Sequence, residues 1–346
     1  MISPPAATPA VSAAELSCYT AALARYLEDH RADPLARIAR SVRLALRINP
    51  RNGLAAFSHH AVSLADLGGG YCLAYRGCTS PASLLAGLDR ELATAGGGLA
   101  VTYTGAMSWS VADPEDSAPH FVLVTGHEGE KWRIEDPFSA QLPSGYQEPF
   151  TGWIPGSQLV SAMTPPDRLS PEHRVRLRYV FGPGTALRPA HEFVWLARTA
   201  AEPSSALGPG WITKPSDVLD NLSDFWSSLD DHPARVRHLD DVWASARHHA
   251  FRYSHLLGHE QLDEPAAAAA ETAREIWTEL PMTLRFAAES AARGRSRPSM
   301  IRGLFSRLST AEQHTADILA AHGYGQAAES AIPGQPARLE KESRQR

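Results

Sequence analysis

Cys18, His120 and Asp136 are the residue types that nucleophilic acyl chemistry needs, standing in the order thiol, imidazole, carboxylate. A thiol is a weak nucleophile until an imidazole takes its proton. The imidazole works better when a carboxylate fixes its tautomer and stabilises its cation. Together the three support attack on a thioester, amide or peptide carbonyl. That chemistry demands elements that bring distant parts of the chain to one point.

The histidine and the aspartate belong to one predicted hairpin. Residues 120–125 and 131–136 are rich in Val, Ile, Phe and Trp, and the segment Gly126-His-Glu-Gly-Glu130 between them contains two glycines, as a short hairpin loop requires. With residue 128 at the centre of the turn, Val124 faces Trp132, Val122 faces Ile134 and His120 faces Asp136, all on one side of the sheet. Directly opposed residues hold their Cβ atoms roughly 4.5–5.5 Å apart, within reach of an imidazole–carboxylate hydrogen bond. A one-residue slip removes the pair, and His127 in the loop is then the fallback base.

The cysteine belongs to a predicted helix from Ser12 to about His30, with Leu16, Tyr19, Leu23, Tyr26 and Leu27 at helical spacing. Ser12 with Glu15 forms a possible capping box, and Ser17 is a second possible N-cap. If Ser17 caps, Cys18 lies in the first turn, where free backbone N–H groups and the helix dipole favour a thiolate. Cys72 and Cys78 read as structural. Helix-borne cysteine with strand-borne histidine and an acidic orienter is the papain-like arrangement.

The runs Ser17-Cys-Tyr-Thr-Ala-Ala-Leu-Ala-Arg-Tyr-Leu27, Leu67-Gly-Gly-Gly-Tyr-Cys-Leu-Ala-Tyr75, His120-Phe-Val-Leu-Val-Thr-Gly126 and Glu135-Asp-Pro-Phe138 also resemble a named family. They look like the N-terminal domain of butirosin-biosynthesis protein H, itself similar to papain-like and C39-type peptidases. The resemblance covers about residues 15 to 160. It implies a cysteine acyltransferase of bacterial secondary metabolism and antibiotic biosynthesis, passing an acyl group from an acyl or amino-acyl carrier-protein thioester to a small-molecule amine. It implies Cys18 as nucleophile, His120 as base and Asp136 as orienter. No glutamine lies just upstream of Cys18, so its own backbone N–H is the assignable oxyanion donor.

Other elements follow from pattern. Asp33-Pro34 opens a predicted helix to about Ile48, with Leu35, Ile38, Val42, Ala45 and Leu46 on one face and Arg37, Arg40, Arg43 and Arg47 away from it. Residues 31–51 hold six arginines against one acid, Asp33, which makes the arginine face a candidate dock for an acidic carrier protein. A helical or irregular segment follows, then strands near 71–75 and 99–104 around a helix from Pro81 to Leu92. Strands are expected at 176–181 and 193–196, and helices at 216–229, 233–257, 265–280, 282–293, 299–308 and 310–322. Trp226, Trp243 and Trp277 suit a bundle core.

The expected organisation is α+β. Residues 1–11 form a disordered N-terminus, 12–200 a papain-like catalytic domain with an antiparallel sheet, 216–327 a helical domain and 328–346 a disordered tail. With 346 residues, 43% hydrophobic and 21% charged, the chain can bury a core, and a net charge of −5 argues against a general nucleic-acid surface. No secretory signal or membrane span is evident, so a cytoplasmic protein with no membrane partner is expected. No cofactor is called for. The glycines at 68–70 lack a following Lys-Ser/Thr and read as a tight turn, and His255 and His259 lack a third metal ligand. Two rival functions remain, amide hydrolysis or cyclisation of a biosynthetic intermediate, and a non-catalytic scaffold acting as a partner subunit.

Overall fold

The computed structural model describes residues 12, 16–30, 33–60, 66–68, 70–142, 144–179, 192–200, 207, 210–228, 236–259 and 261–322. Both termini expected to be disordered, Glu15 of the capping box and the Pro233 helix start lie outside these residues.

The molecule is α+β, with an antiparallel sheet at its centre and helices forming its C-terminal part. The first helix, α1 (Cys18–Glu28), leads to α2 (Pro34–Ser41) and a hairpin of β1 (Val42–Ile48) and β2 (Ala55–His60). The central sheet comprises β3 (Asp66–Gly68), β4 (Tyr71–Cys78), β5 (Gly98–Tyr103), β6 (Pro119–Glu128), β7 (Lys131–Asp136), β10 (Phe150–Pro155) and β11 (Phe193–Thr199). Its seven strands run in the order β10-β7-β6-β5-β11-β4-β3, each pair antiparallel. A second small hairpin, β8 (Ala140–Leu142) with β9 (Gly145–Gln147), follows β7.

Alternation along the strands divides the core. Leu99, Val101, Phe121 and Leu123 face α1 through Tyr19, Leu23, Tyr26 and Leu27. Ala100, Val122, Val124, Trp132 and Ile134 face α3 (Pro81–Ala95) and α4 (Gly156–Met163) through Leu84, Leu88, Leu159 and Met163. α3 is capped by Ser80 and closed by Gly96 at φ 72°, the left-handed position that glycine fills most easily.

A third core joins the C-terminal helices to the β1–β2 hairpin. Leu44, Leu46, Ala55 and Phe57 pack with residues of α6 (Pro215–Ser227), α7 (Leu239–His259), α8 (Glu264–Ala292) and α9 (Pro298–Ala321). The helical part is therefore built around N-terminal strands as well as around itself. No helix among the described residues is long and apolar enough to cross a membrane.

Several elements differ from the sequence expectation. The helix expected from 33 to 48 stops at Ser41, and Val42–Ile48 is a strand whose Leu44 and Leu46 are buried. The helical or irregular stretch after Gly53 is β2, buried throughout. Of the strand expected at 176–181, residues 180 and 181 lie outside the described residues, and residues 176–179 are instead the end of α5 (Pro171–Tyr179). Its start is set by Ser170, whose Oγ accepts from the His173 N–H at 3.1 Å. The breaks expected near Pro281 and Thr310 do not occur: α8 runs through Pro281, and α9 runs from Pro298 to Ala321. Leu280 and Leu284 are both fully buried in one core, which holds the two halves of α8 in line across the missing proline N–H.

Candidate active site

Ser17 caps α1. Its backbone is extended (φ −164°, ψ 158°), and its Oγ accepts from the Thr20 N–H at 3.3 Å, so Cys18 is the first helical residue. At that position the Cys18 N–H has no intrahelical acceptor and is available to an anion. The Cys18 side chain is half-buried.

His120 and Asp136 do not face one another across the ladder as the sequence reading had it. The tight turn is at Gly129-Glu130, with Glu128 opposite Lys131, and Gly129 adopts φ 61°. A bulge at Thr125 then shifts the register, leaving Val124 opposite Ile134 and Leu123 opposite Glu135. Continued, that register sets Asp136 across from Val122, with His120 its diagonal neighbour on the same face. The bulge decides the face. Without it, the turn's register would bring Asp136 opposite Leu123, on the side away from His120.

The diagonal offset is spanned by side-chain length. His120 Nε2 donates to Asp136 Oδ2 at 2.9 Å, and both residues are buried. Trp109 Nε1 donates to the same oxygen at 2.9 Å, and the Phe138 N–H donates to Oδ1 at 3.2 Å. The His120 carbonyl accepts from Thr102 Oγ1 at 3.1 Å, and the Phe138 ring meets the imidazole edge-on at 5.6 Å. Burial opposes a charge on His120, yet the Asp136 carboxylate and the nearby Cys18 sulfur hold it well above its ordinary range. Since Nε2 is committed to Asp136, the nitrogen left for the sulfur is Nδ1. Cys18, His120 and Asp136 are thus brought together.

An ion pair beside the site locks α1 to the hairpin. Arg25 Nε donates to Glu135 Oε2 at 2.8 Å, and Thr125 Oγ1 donates to Glu135 Oε1 at 3.1 Å. On the other side, α7 is set against α1 by His248. Its Nδ1 donates to the Ala244 carbonyl at 2.6 Å, so its Nε2 is the acceptor for Thr20 Oγ1 at 2.9 Å. His59 stacks on His248 at 5.3 Å, and the Tyr19 ring lies 6.0 Å from His248. Burial lowers His59 to about 4 and keeps His60 and His248 well below the ordinary imidazole range.

A buried guanidinium also feels the Cys18 sulfur electrostatically. Arg176 of α5 donates from Nε to Asp241 Oδ1 at 2.8 Å, and His238 Nδ1 donates to Asp241 Oδ2 at 3.1 Å. Burial opposes the charge on Arg176, while Asp241, Asp240 and Cys18 raise it. Arg176, Trp109 and Trp243 were not singled out as site residues by sequence. Arg176 sits in a run that alternates like a strand, Trp109 is a single aromatic in a polar connection, and the helical spacing of Trp243 matches a bundle core. Trp226 and Trp277 are buried in the helical core, whereas Trp243 packs at the site.

The remaining candidates lie elsewhere. His127 is at the far end of the hairpin, bonded to Asp89 Oδ1 at 2.7 Å and stacked on Trp132 at 4.1 Å, and is no base for Cys18. The arginine face does not form, because Arg37 and Arg40 are on α2 and Arg43 and Arg47 on β1. Arg43 Nη2 donates to Ser58 Oγ at 3.1 Å, and burial lowers it to about 10. Arg47 lies 5.6 Å from the Tyr179 ring and 5.9 Å from that of Trp211. His255 and His259 stack on each other at 4.2 Å. No family model matches the chain, and comparison with curated proteins found no significant match.

Proposed function

We propose that the chain is a papain-like cysteine acyltransferase that moves an acyl group from a carrier-protein thioester to the amine of a small molecule. The observation that carries this reading is a buried imidazole held between the Cys18 sulfur and the Asp136 carboxylate, with Cys18 at a helix start.

In the first half-reaction the Cys18 sulfur attacks the thioester carbonyl. The tetrahedral oxyanion forms beside the Cys18 N–H and the positive end of α1. On collapse the carbon–sulfur bond to the carrier breaks, His120 gives its proton to the departing thiol, and the acyl group remains on Cys18. In the second, an amine attacks that carbonyl and His120 takes the amine's proton. The amide leaves and Cys18 is restored. Asp136 keeps the imidazole in the Nε2–H form throughout, with Trp109 fixing the carboxylate.

Incubation with a thioester donor, followed by intact-mass spectrometry, tests this. The wild type should gain one acyl mass, lose it on addition of an amine with formation of the amide, and show neither event as Cys18→Ala. Loss of the adduct to water at the same rate with or without amine identifies a hydrolase instead. A Cys18→Ala protein that still forms product would sink the reading altogether.

A further inference from the structure

The half-exposed surface around Cys18 is apolar and comes from two distant parts of the chain. Ala21, Phe138 and Ala140 form a small buried cluster, and the half-buried residues packed against it are Cys18, Leu142 and Trp243. Leu142 ends β8, and Trp243 is on α7. The Phe138 ring lies between the two sides of the site, edge-on to His120 at 5.6 Å and edge-on to Trp243 at 6.4 Å.

Trp243 is held there by the rest of its helix. Val242 and Ala246 are buried in the helical core, which turns the Trp243 position away from that core. One turn further on, His248 accepts from Thr20, two residues past Cys18, and so sets the height of α7 against α1. The Arg247 guanidinium, 5.7 Å from the indole, borders its outer side. A tryptophan and a leucine left partly in water beside Cys18 gain burial when an apolar group covers them.

Resting on the reading of Cys18 as the acyl-accepting nucleophile, we infer that the transferred acyl group is apolar and is selected by Trp243 and Leu142. The acyl group is the occupant because it stays bonded to Cys18 through both half-reactions. Whatever lies within a side chain's reach of that sulfur touches it in each.

The test is the rate of Cys18 acylation by N-acetylcysteamine thioesters of acetate and hexanoate, read by intact mass, with iodoacetamide labelling as a control for folding and sulfur access. The wild type should take hexanoyl at least about tenfold faster than acetyl, the order expected when methylenes enter an apolar pocket. Trp243→Ala should lower the hexanoyl rate about tenfold more than the acetyl rate, with iodoacetamide labelling retained, and Trp243→Phe should retain the preference. Leu142→Ala, on a separate element, should lose it in the same direction. A wild type acylated equally by both thioesters, or a preference unchanged in both alanine variants, overturns this inference alone. No acylation by either thioester, with iodoacetamide labelling intact, overturns the acyltransferase reading and this inference with it.

Discussion

In the proposed reaction His120 is the residue on which the chemistry turns, and its behaviour with pH follows from its neighbours. Asp136 and Cys18 raise it against the effect of burial. The protonated imidazole therefore adds stability that is fully present below about 6.5, its unfolded value, and is lost as pH rises through the higher native one. Asp136→Asn removes the strongest raising partner. The alkaline limb of the activity profile should then move to lower pH, and turnover at pH 7 should fall by about 10²-fold or more. An unchanged alkaline limb would show that Asp136 does not govern the imidazole. Sequence pointed to Cys18, His120 and Asp136, which the structure brings together, because residue type alone suggests the chemistry. It could not identify Trp109, whose contact with Asp136 depends on a connection that carries no periodic pattern.

At the scale of the element, the hairpin is the informative case. Apolar alternation and two glycines made β6 and β7 legible, but not the bulge at Thr125, because nothing in Val124-Thr-Gly126 distinguishes a bulge from continuous pairing. The His–Asp contact was anticipated from an opposed register and is instead a diagonal one, kept because the net offset is even. Deleting Thr125 should remove the extra residue and leave Val124 opposite Ile134, so that Asp136 stays on the His120 face. The expected outcome is a protein with native far-ultraviolet circular dichroism and turnover within a few-fold of wild type; a folded protein with no detectable turnover would refute this register. Other misreadings share a cause. Val42-Arg-Leu-Ala-Leu-Arg-Ile48 fits helical and strand periods alike, and pairing with β2 under the C-terminal helices decides for the strand. In α5 the Ser170-Pro171-Glu172 start was the stronger signal and outweighed the alternation that followed.

For the whole molecule, buried, uncharged imidazoles join the helical part to α1 and the β1–β2 hairpin through His59, His60 and His248, and His249 lies among the C-terminal helices. His59, His60, His248 and His249 are all lowered by burial, His59 to about 4. The unfolded chain binds protons on these groups at about 6.5 and the native one does not. Their contribution is therefore present above that value and is lost as pH falls from there towards 4, on the order of 3 kcal/mol for His59. The urea midpoint should drop steeply between pH 6.5 and 4.5 with no change in slope, and a midpoint that is flat over this range would contradict the arrangement. Composition and helix signals made the α+β class and the C-terminal helices readable. The shared core of β1–β2 with α6 to α9 was not, since it depends on long-range packing that no local window records.

The central claim, that Cys18 is activated by His120 under the control of Asp136, is tested most directly by the pH dependence of Cys18 alkylation with iodoacetamide. Labelling located by peptide mass spectrometry should be rapid at pH 6 in the wild type, slowed by about 10²-fold in His120→Ala and intermediate in Asp136→Asn. A wild-type Cys18 that reacts only as pH nears 9, with a profile unaltered by loss of His120, would contradict the account.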